Sequence, residues 1–511
     1  MRTPIGLPVI PLILLAMQSP AYGGSVLEVR AAGAALVAGA TDGDRLGAAS
    51  AAGDIDGDGE IELIIGAPGR TAEPGAPGAG AIYIFERSAL EGLSLDEAVA
   101  ESLASGMVTG NAGGDRFGAA LAAADLDGDG IDDLIVGAPG SGSGARVASG
   151  AVYVIRGVSG RTPSGDVNFL SPAVLTGDGA GHRLGATVLA ADVTGSGETL
   201  LLAAAFRGGA DGRKGGIVYV VRPDTLWSLP GDVAVSEVAA ARALGGKDGD
   251  ALRGIAVADT DGDGGREIIL GAYHADGADG TRIDAGSVHV VPGEMLLSTR
   301  DIVLPDDATA VFTGAVARGF LGRSIAAGDI DGDGIDDLAL PAYSSGADPN
   351  RQSAHGQLFI VFGPLPGPEP HVDLRTSDVP VIHGAGRWDL FGLPTILADL
   401  NGDKSDDIIA AAQFADPHDG KGGRGAVHVF WGSLRSVMAA KAGSAELADI
   451  TLIGSEGRGA FGASLLAVDL AGDARLDLVI GAPEPPPDGD ASGSGAFFIV
   501  DGAELAATPR R

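Results

Sequence analysis

The sequence predicts an all-β fold, a seven-bladed β-propeller of four-stranded blades, and three observations lead to this prediction. One unit recurs seven times along the 511 residues, at a period of about 70 residues. Each unit contains four short apolar runs separated by Gly-rich turns, which is the size of one propeller blade. No stretch keeps a helical apolar period across several units, so a solenoid of alternating strands and helices is disfavoured.

Each unit has the same parts in the same order. A Leu-Gly or Phe-Gly pair comes first, followed by a short strand, an acidic loop and a second strand that ends in Gly-Ala-Pro or a related triplet. A variable Gly-rich loop, a third strand and a fourth strand complete the unit. The fourth unit departs from the pattern, with Arg253-Gly254 aligned to the pair. The first Asp of each acidic loop marks the repeat, at Asp54, Asp125, Asp192, Asp259, Asp329, Asp399 and Asp469.

The two ends of the chain suggest how the ring closes. The last unit ends after its third strand, whereas the first unit is preceded by a spare strand around Ala34 to Val37. We expect this spare strand to complete blade seven, because a closed ring removes the exposed strand edges that a linear stack would have. Residues 22–511 are therefore predicted to form a single propeller domain.

The Phe-Gly pair, the DxDGDGxxD loop and the Gly-Ala-Pro triplet resemble FG-GAP repeats. These repeats build the seven-bladed propeller of integrin α subunits, and the resemblance covers nearly all of residues 22–511. It implies an integrin-like propeller. Adhesion follows from it only weakly, because a fold does not determine a function.

The acidic loops have the composition of calcium sites. In the first loop, carboxylates occupy positions 1, 3, 5 and 9, and the glycines between them permit a tight curl. Calcium takes six to eight hard oxygen ligands in a flexible cage. Simple Asp-Gly turns need one such side chain, and four packed carboxylates without a cation would repel one another. We predict about five Ca²⁺ sites, with these ligands: Asp54, Asp56, Asp58 and Glu62; Asp125, Asp127, Asp129 and Asp133; Asp259, Asp261, Asp263 and Glu267; Asp329, Asp331, Asp333 and Asp337; Asp399, Asn401, Asp403 and Asp407.

Two loops depart from this pattern. The seventh keeps Asp469, Asp473 and Asp477 but has Ala471 at position 3, so we expect weak metal binding or none. The third has Thr194 and Ser196 at positions 3 and 5 and Leu200 at position 9, and we expect no metal there. An EF-hand is excluded for all the loops, since its Glu belongs at position 12, where this chain has apolar residues within a strand.

Charge and composition limit the partners and the compartment. The formal net charge of −34 disfavours nucleic acid and anionic membranes, and the chain contains no Cys. Arg2 precedes an apolar run from Ile5 to Met17, followed by the small residues around Ala21, which is the layout of a signal peptide over residues 1–21. We therefore expect a secreted, periplasmic or cell-surface protein, with no transmembrane anchor after cleavage.

Basic residues recur just before the Leu-Gly and Phe-Gly pairs, at Arg45, Arg116, Arg183, Arg318, Arg387 and Arg458. Equivalent positions of a propeller converge on one mouth, where such a ring could bind an anionic glycan. Alternatively, each Arg pairs with the acidic loop of its own blade or caps a turn. The variable loops after the second strands are a second place for binding, and Tyr273 and Tyr343 at the starts of two of them are either contact or packing residues.

The sequence predicts a calcium-binding module, not an enzyme, that binds a protein or glycan partner. No HExxH, GxSxG or Walker motif is present, and His289 and His428 stand at strand positions held by Tyr in other units. Two alternatives remain open: an extracellular polysaccharide-active enzyme that uses the propeller mouth, and a structural protein of the cell envelope.

Overall fold

The computed structural model describes most of the chain from Ser25 onward. The described residues are 25–29, 34–72, 75–90, 93, 98–171, 173–210, 214–229, 231–277, 280–345, 354–365, 371–386, 388–415, 423–432, 442–454, 459–484 and 493–508. The proposed signal peptide at residues 1–21 lies outside this part of the chain.

Seven sheets form seven blades around a ring, and the predicted all-β propeller is confirmed, with 40% strand and 8% helix. Each blade contains four antiparallel strands, as predicted. From the centre outward these strands are Ala49–Gly53, Glu62–Ala67, Ala81–Phe85 and Gly106–Thr109; Ala120–Ala124, Asp133–Ala138, Ala151–Ile155 and Ala173–Thr176; Leu184–Ala191, Leu200–Ala205, Ile217–Val221 and Ala241–Leu244; Leu252–Ala258, Glu267–Ala272, Ser287–Pro292 and Ala310–Thr313; Ala326–Gly328, Asp337–Ala342, Gln357–Val361 and Val381–His383; Thr395–Ala398, Asp407–Ala412, Ala426–Phe430 and Ile450–Ile453; Leu465–Val468, Asp477–Ala482, Ala496–Val500 and Ala35–Ala38.

The composition of each strand matches its place in the blade. The second and third strands are almost continuously apolar and fully buried, as in Glu62–Ala67 and Ala81–Phe85, because neighbouring blades cover both of their faces. The first strands lie nearest the axis and contact one another around the ring, which favours the small side chains of Ala49–Gly53 and Ala120–Ala124. The core therefore lies between the blades.

Each blade also has a fifth, outermost strand that runs parallel to the fourth. This strand comes from the next blade along the chain: Gly165–Asp166 follows the third strand of blade two but pairs with the fourth strand of blade one. Each blade thus supplies a strand to its neighbour. The fifth strands of blades one to seven are Gly165–Asp166, Asp232–Ala234, Asp301–Val303, His371–Asp373, Ala442–Ser444, Ser25–Glu28 and Ala98–Val99.

The ring closes through the N-terminal strands, as predicted for blade seven. Ala35–Ala38 pairs antiparallel with Ala496–Val500, with Leu36 opposite Phe498 and Val37 opposite Phe497. Ser25–Glu28 also joins the fourth strand of blade six in parallel, which the sequence analysis did not predict. Two blades are therefore completed by residues from the other end of the described chain.

The motif glycines mark close approaches between neighbouring blades. A methyl group on Gly66, in the Gly-Ala-Pro triplet of blade one, would lie 2.1 Å from the carbonyl oxygen of Gly118, in the Phe-Gly pair of blade two. Gly118 has a φ of 85°, which favours glycine. The two motifs of the repeat therefore fit against each other across the blade interface.

In blade four the structure corrects the alignment of the motif. Leu252 takes the place of the motif Leu or Phe. Its N–H donates to the carbonyl oxygen of Gly215, and in blade three the motif residue Leu184 makes the equivalent bond to the carbonyl oxygen of Ser149. Arg253, instead of Gly254, therefore stands at the position of the motif glycine. The fourth unit therefore keeps the Leu of the Leu-Gly pair and departs from the pair only at its glycine.

The helices in the described part of the chain are single turns between strands, and none has the length and apolarity needed to cross a bilayer. The α-helical turns are Arg87–Leu90, Ala100–Leu103, Val167–Leu170, Pro223–Leu226, Val235–Val238, Met295–Ser298 and Gly502–Ala506, and the 3-10 turns are Gly144–Arg146 and Ala445–Leu447.

Candidate functional site

The acidic loops all join the first strand of a blade to the second, so they lie on one face of the ring, here called the acidic face. The first Asp of each loop folds it by accepting backbone hydrogen bonds. Asp54 accepts from the N–H groups of Gly57 at 2.7 Å and Gly59 at 3.0 Å. Both glycines have positive φ, 71° and 88°, as the curl requires.

The folded loops bring most of the predicted carboxylates together. In four loops, three carboxylates have oxygens that all lie within 4.8 Å of one another. The first, fourth and fifth loops contribute positions 1, 3 and 5, whereas the second contributes positions 1, 3 and 9. These clusters are Asp54, Asp56 and Asp58; Asp125, Asp127 and Asp133; Asp259, Asp261 and Asp263; Asp329, Asp331 and Asp333.

The carboxylates at position 9 begin the second strands and are buried beneath the loops. Asp337 accepts hydrogen bonds from the N–H groups of Ile330 at 2.9 Å and Gly363 at 2.8 Å, and Asp407 makes the same pair of bonds with Leu400 and Gly432. Burial raises the pKa of each of the position-9 carboxyls Glu62, Asp133, Asp337 and Asp407 to about 7, and it also raises the pKa of Glu267 and of Asp477. A cation beside them would favour their charged form.

Two side-chain oxygens at position 3 support the fit of a cation. Asp56 Oδ1 and Asn401 Oδ1 are buried and accept no hydrogen bond. Burying such an oxygen without a partner costs free energy, which a metal–oxygen bond would offset. In the sixth loop, Asn401 Nδ2 donates to both oxygens of Asp407, at 2.8 and 3.0 Å, so its amide oxygen is oriented away from them. The donor sets contain only hard oxygens, which suit Ca²⁺.

The third and seventh loops differ in structure as well as in sequence. Thr194 Oγ1 lies within hydrogen-bond distance of Asp192 Oδ1 and of Ser196 Oγ, at 3.2 and 2.7 Å, so neutral hydroxyls occupy the place of carboxylates. In the seventh loop, the guanidinium of Arg87 donates to the carbonyl oxygen of Ala471, at position 3. A cationic side chain thus stands beside the loop for which we expect weak metal binding or none.

The acidic loops have a second role that was not predicted from the sequence, because they also join neighbouring blades. Asp132, at position 8 of the second loop, accepts the N–H of Asp54 at 3.1 Å and donates its own N–H to the Asp54 carbonyl at 2.8 Å. Asp336 makes both bonds with Asp259, each at 2.9 Å, and Asp406 N–H donates to the carbonyl of Asp329 at 2.7 Å. The signal in the sequence was the doubled Asp at positions 8 and 9.

Four of the recurring arginines, Arg45, Arg116, Arg183 and Arg318, lie on the opposite face, because each precedes the first strand of its blade whereas the acidic loop follows that strand. Arg45, Arg116 and Arg183 line one cavity of about 690 Å³ at the mouth of the ring, together with Arg207 and Arg253. Arg45 pairs with Glu484 of blade seven, and pairing of these arginines with the acidic loops of their own blades is not observed among the described residues. Arg318 is not among the residues that line this cavity, and Arg387 and Arg458 lie outside the described residues.

His289 and His428 are core residues of the third strands, as expected. Their exposed fractions are 5% and 1%, and His428 Nδ1 lies 3.1 Å from Thr451 Oγ1. Burial lowers the pKa of each of these histidines to about 4. Both are therefore neutral at pH 7 and take no part in the acidic loops.

Acidification is expected to destabilise the protein through His428. Because its pKa in the folded state lies below that of an unfolded chain, about 6.5, stability is lost as the pH falls from about 6.5 to 4, by about 3 kcal/mol in full. His428→Phe should remove this part of the pH dependence, since Phe359 and Phe498 fill the equivalent place in blades five and seven. Unfolding in denaturant at pH 7.5 and pH 5 measures the effect, and an identical pH dependence in the variant would contradict it.

Comparison with known proteins supports the repeat unit predicted from the sequence. The FG-GAP repeat matches residues 46–85, 117–155, 321–355 and 395–430. The chain thus carries FG-GAP repeats on a seven-bladed ring, and the predicted resemblance to the integrin α propeller is confirmed.

Particular relatives are of two kinds. Phosphatidylinositol-glycan-specific phospholipase D of Homo sapiens is 29% identical over 449 residues, covering 83% of this chain and 51% of that protein. The enzyme of the same name from Bos taurus is 35% identical over 172 residues, covering 34% of this chain and 20% of that protein. Integrin alpha-PS2 of Drosophila melanogaster is 32% identical over 175 residues, covering 33% of this chain and 12% of that protein. The chain spans about half or less of the length of these relatives.

The expectation that this chain is not an enzyme is contradicted by these relatives. Four of its relatives are by name phospholipases, and one of them aligns with most of the chain. The missing HExxH, GxSxG and Walker motifs exclude only the chemistries that those motifs serve.

Proposed function

We propose that this chain is a secreted, calcium-braced propeller that acts as the substrate-binding part of an activity on phosphatidylinositol-glycans. The observation that carries the calcium part is the set of acidic clusters, whose carboxylate oxygens lie within 4.8 Å of one another. At neutral pH such groups repel one another unless a cation joins them. The substrate class comes from the phospholipase relatives.

Five loops would hold Ca²⁺ in this proposal. Their ligands are the predicted carboxylates together with Asn401, and the third loop holds none. Calcium would link the first and second strands of a blade at the acidic face, where Asp132 and Asp336 already connect neighbouring loops. Binding to the folded form alone stabilises it by mass action. The proposal also takes residues 1–21 as a signal peptide and residues 22–511 as a single domain, so that the protein would act outside the cytoplasm.

Calcium titration calorimetry on the metal-stripped chain, with melting followed in parallel, tests this proposal. We expect four to six sites and a rise in melting temperature with calcium. Asp56→Ala should remove one site and lower the melting temperature in calcium by several degrees. Thr194→Ala is the matched control in the third loop and should leave the number of sites unchanged. Equal effects of the two substitutions, or no calcium uptake, would contradict the assignment.

The substrate part needs a separate measurement. Vesicles carrying a phosphatidylinositol-glycan-anchored reporter would be incubated with the calcium-loaded chain, and both the bound protein and the released reporter would be measured. Binding without release indicates a recognition part, whereas release shows that the chain carries the hydrolytic groups as well. Neither binding nor release would contradict the proposed substrate class.

A further inference from the structure

The mouth opposite the acidic face is asymmetric in charge. Seven equivalent residues, one before each Leu or Phe of the motif, have a left-handed backbone with φ between 54° and 59°. Only blades one to three have Arg there, and the seven residues are Arg45, Arg116, Arg183, Ala251, Phe320, Leu390 and Ala460. A purely structural need of the repeat would apply to every blade, so the three arginines require another explanation.

Five arginines line this part of the mouth. Arg45, Arg116, Arg183, Arg207 and Arg253, here called the cationic arc, line the cavity of about 690 Å³, and no Asp or Glu is among its lining residues. The whole chain has a formal net charge of −34, so this concentration of positive charge stands out. Within the described residues, Arg45 has an ion pair with Glu484, whereas no ion pair involves Arg116, Arg183 or Arg207. Like charges gathered in this way favour an anion between them.

Arg253 adds a further positive charge at the wall of the cavity. It replaces the motif glycine of blade four, and its guanidinium lies 5.2 Å from the ring centroid of Phe206. Burial, with the nearby charge of Arg323 as a second cause, lowers the pKa of Arg253 to about 10. A bound anion would relieve both unfavourable contributions.

Aromatic rings continue the mouth beside the cationic arc. Phe206, Tyr273, Phe320 and Tyr343, here called the aromatic arc, come from blades three to five, and the ring centroids of successive members lie 6.4, 6.5 and 5.6 Å apart. Arg323 stacks over Tyr273 at 5.7 Å and over Tyr343 at 5.8 Å. Phe206 and Tyr273 are buried core residues, with exposed fractions of 9% and 5%, whereas Phe320 and Tyr343 are half-buried. The apolar surface open to a ligand beside the cationic arc is therefore that of Phe320 and Tyr343.

We propose that this mouth binds a sugar phosphate, with the phosphate in the cationic arc and the less polar face of the sugar ring against Phe320 and Tyr343, the half-buried members of the aromatic arc. Guanidinium groups suit phosphate because they donate two parallel hydrogen bonds. The cavity volume is within the usual range for small-ligand sites, about 300–1,000 Å³. The ligand class rests on the proposed function, but the site lies on the face opposite the calcium loops.

The test uses calorimetry on the calcium-loaded full chain with four probes. They are mannose 6-phosphate, inorganic phosphate, mannose, and vesicles of phosphatidylcholine with phosphatidylinositol. We expect one mannose 6-phosphate per chain, bound more tightly than phosphate and more weakly as salt rises, and no binding of mannose. Vesicle binding that mannose 6-phosphate competes away would identify a lipid headgroup as a second source of the same chemistry.

Two variants complete the design. Arg116→Gln with Arg183→Gln should weaken mannose 6-phosphate binding about tenfold or more, since charge-assisted hydrogen bonds are lost. Arg475→Gln, at an exposed arginine within the seventh acidic loop and so on the opposite face, is the control and should leave mannose 6-phosphate binding unchanged. Equal weakening in the control, no loss in the double variant, phosphate bound as tightly as mannose 6-phosphate, or no binding of any probe would each overturn the proposal. Calcium uptake is measured on the same samples. A chain that takes up calcium but binds no sugar phosphate would contradict only the proposal for the mouth, and not the calcium assignment.

Discussion

Asp337→Ala is expected to lower the free energy of unfolding by about 3 kcal/mol or more, because two buried backbone N–H groups would lose their acceptor. Asp337 has an exposed fraction of 0% and accepts from Ile330 and Gly363, so its carboxylate joins the loop to the connection after the third strand. Water cannot reach the site to replace these bonds. Denaturant unfolding at fixed calcium concentration measures the loss.

The control for this change is Asp337→Asn, which keeps one acceptor oxygen and the side-chain shape. It should cost less than the Ala variant in metal-free buffer and should weaken calcium binding in the fifth loop. Leu200 occupies the same position in the third loop, so an apolar residue is tolerated where no metal is expected. A loss below about 1 kcal/mol in Asp337→Ala would show that the buried carboxylate does not hold the loop.

Leu36→Asp is expected to open the ring between blades seven and one. Leu36 is buried in the core between blades six and seven, opposite Phe498, and an unpaired charge there costs several kcal/mol. Blade seven would lose its fourth strand, and the edge of Ala496–Val500 would become exposed. We expect a melting temperature at least about 10 °C lower and rapid proteolysis near residue 40.

Leu447→Asp is the matched control, because Leu447 is 54% exposed. It should melt as the unaltered protein does. Unchanged melting and proteolysis in Leu36→Asp would mean that the closing strand contributes little to stability.

The sequence predicted the blades because each strand and loop carries a local signal. Alternating Asp and Gly residues mark the first connection, and apolar runs such as Ala81–Phe85 mark the buried strands. The fifth strands had no such signal, since Gly165–Asp166 has only two residues and pairs with another blade. Pairing between distant segments cannot be derived from local pattern alone.

Some features of the candidate sites could also be predicted from the sequence, and others could not. Spacing predicted that the carboxylates at positions 1, 3, 5 and 9 would meet, and in the first and fifth loops the structure brings those at positions 1, 3 and 5 together. That they bind metal stays a prediction. The bonds from Asp132 to the neighbouring loop were missed, because position 8 has a partner only when two blades stand side by side. The asymmetric mouth was missed because Arg318 stands two residues before the position that Phe320 occupies, and matching by residue type hid this offset.

The exchange of outermost strands has a consequence for how the molecule is made. A blade that leaves the ribosome cannot finish its sheet until the next unit has been synthesised, so folding proceeds one unit behind synthesis. The strands Ser25–Glu28 and Ala35–Ala38 must stay unpaired until blades six and seven exist, which leaves their apolar side chains exposed to chaperones. Contacts this distant in the chain make the final step of folding slow. Moving these two strands to the other end of the chain would shorten that wait while keeping the same strand pairings.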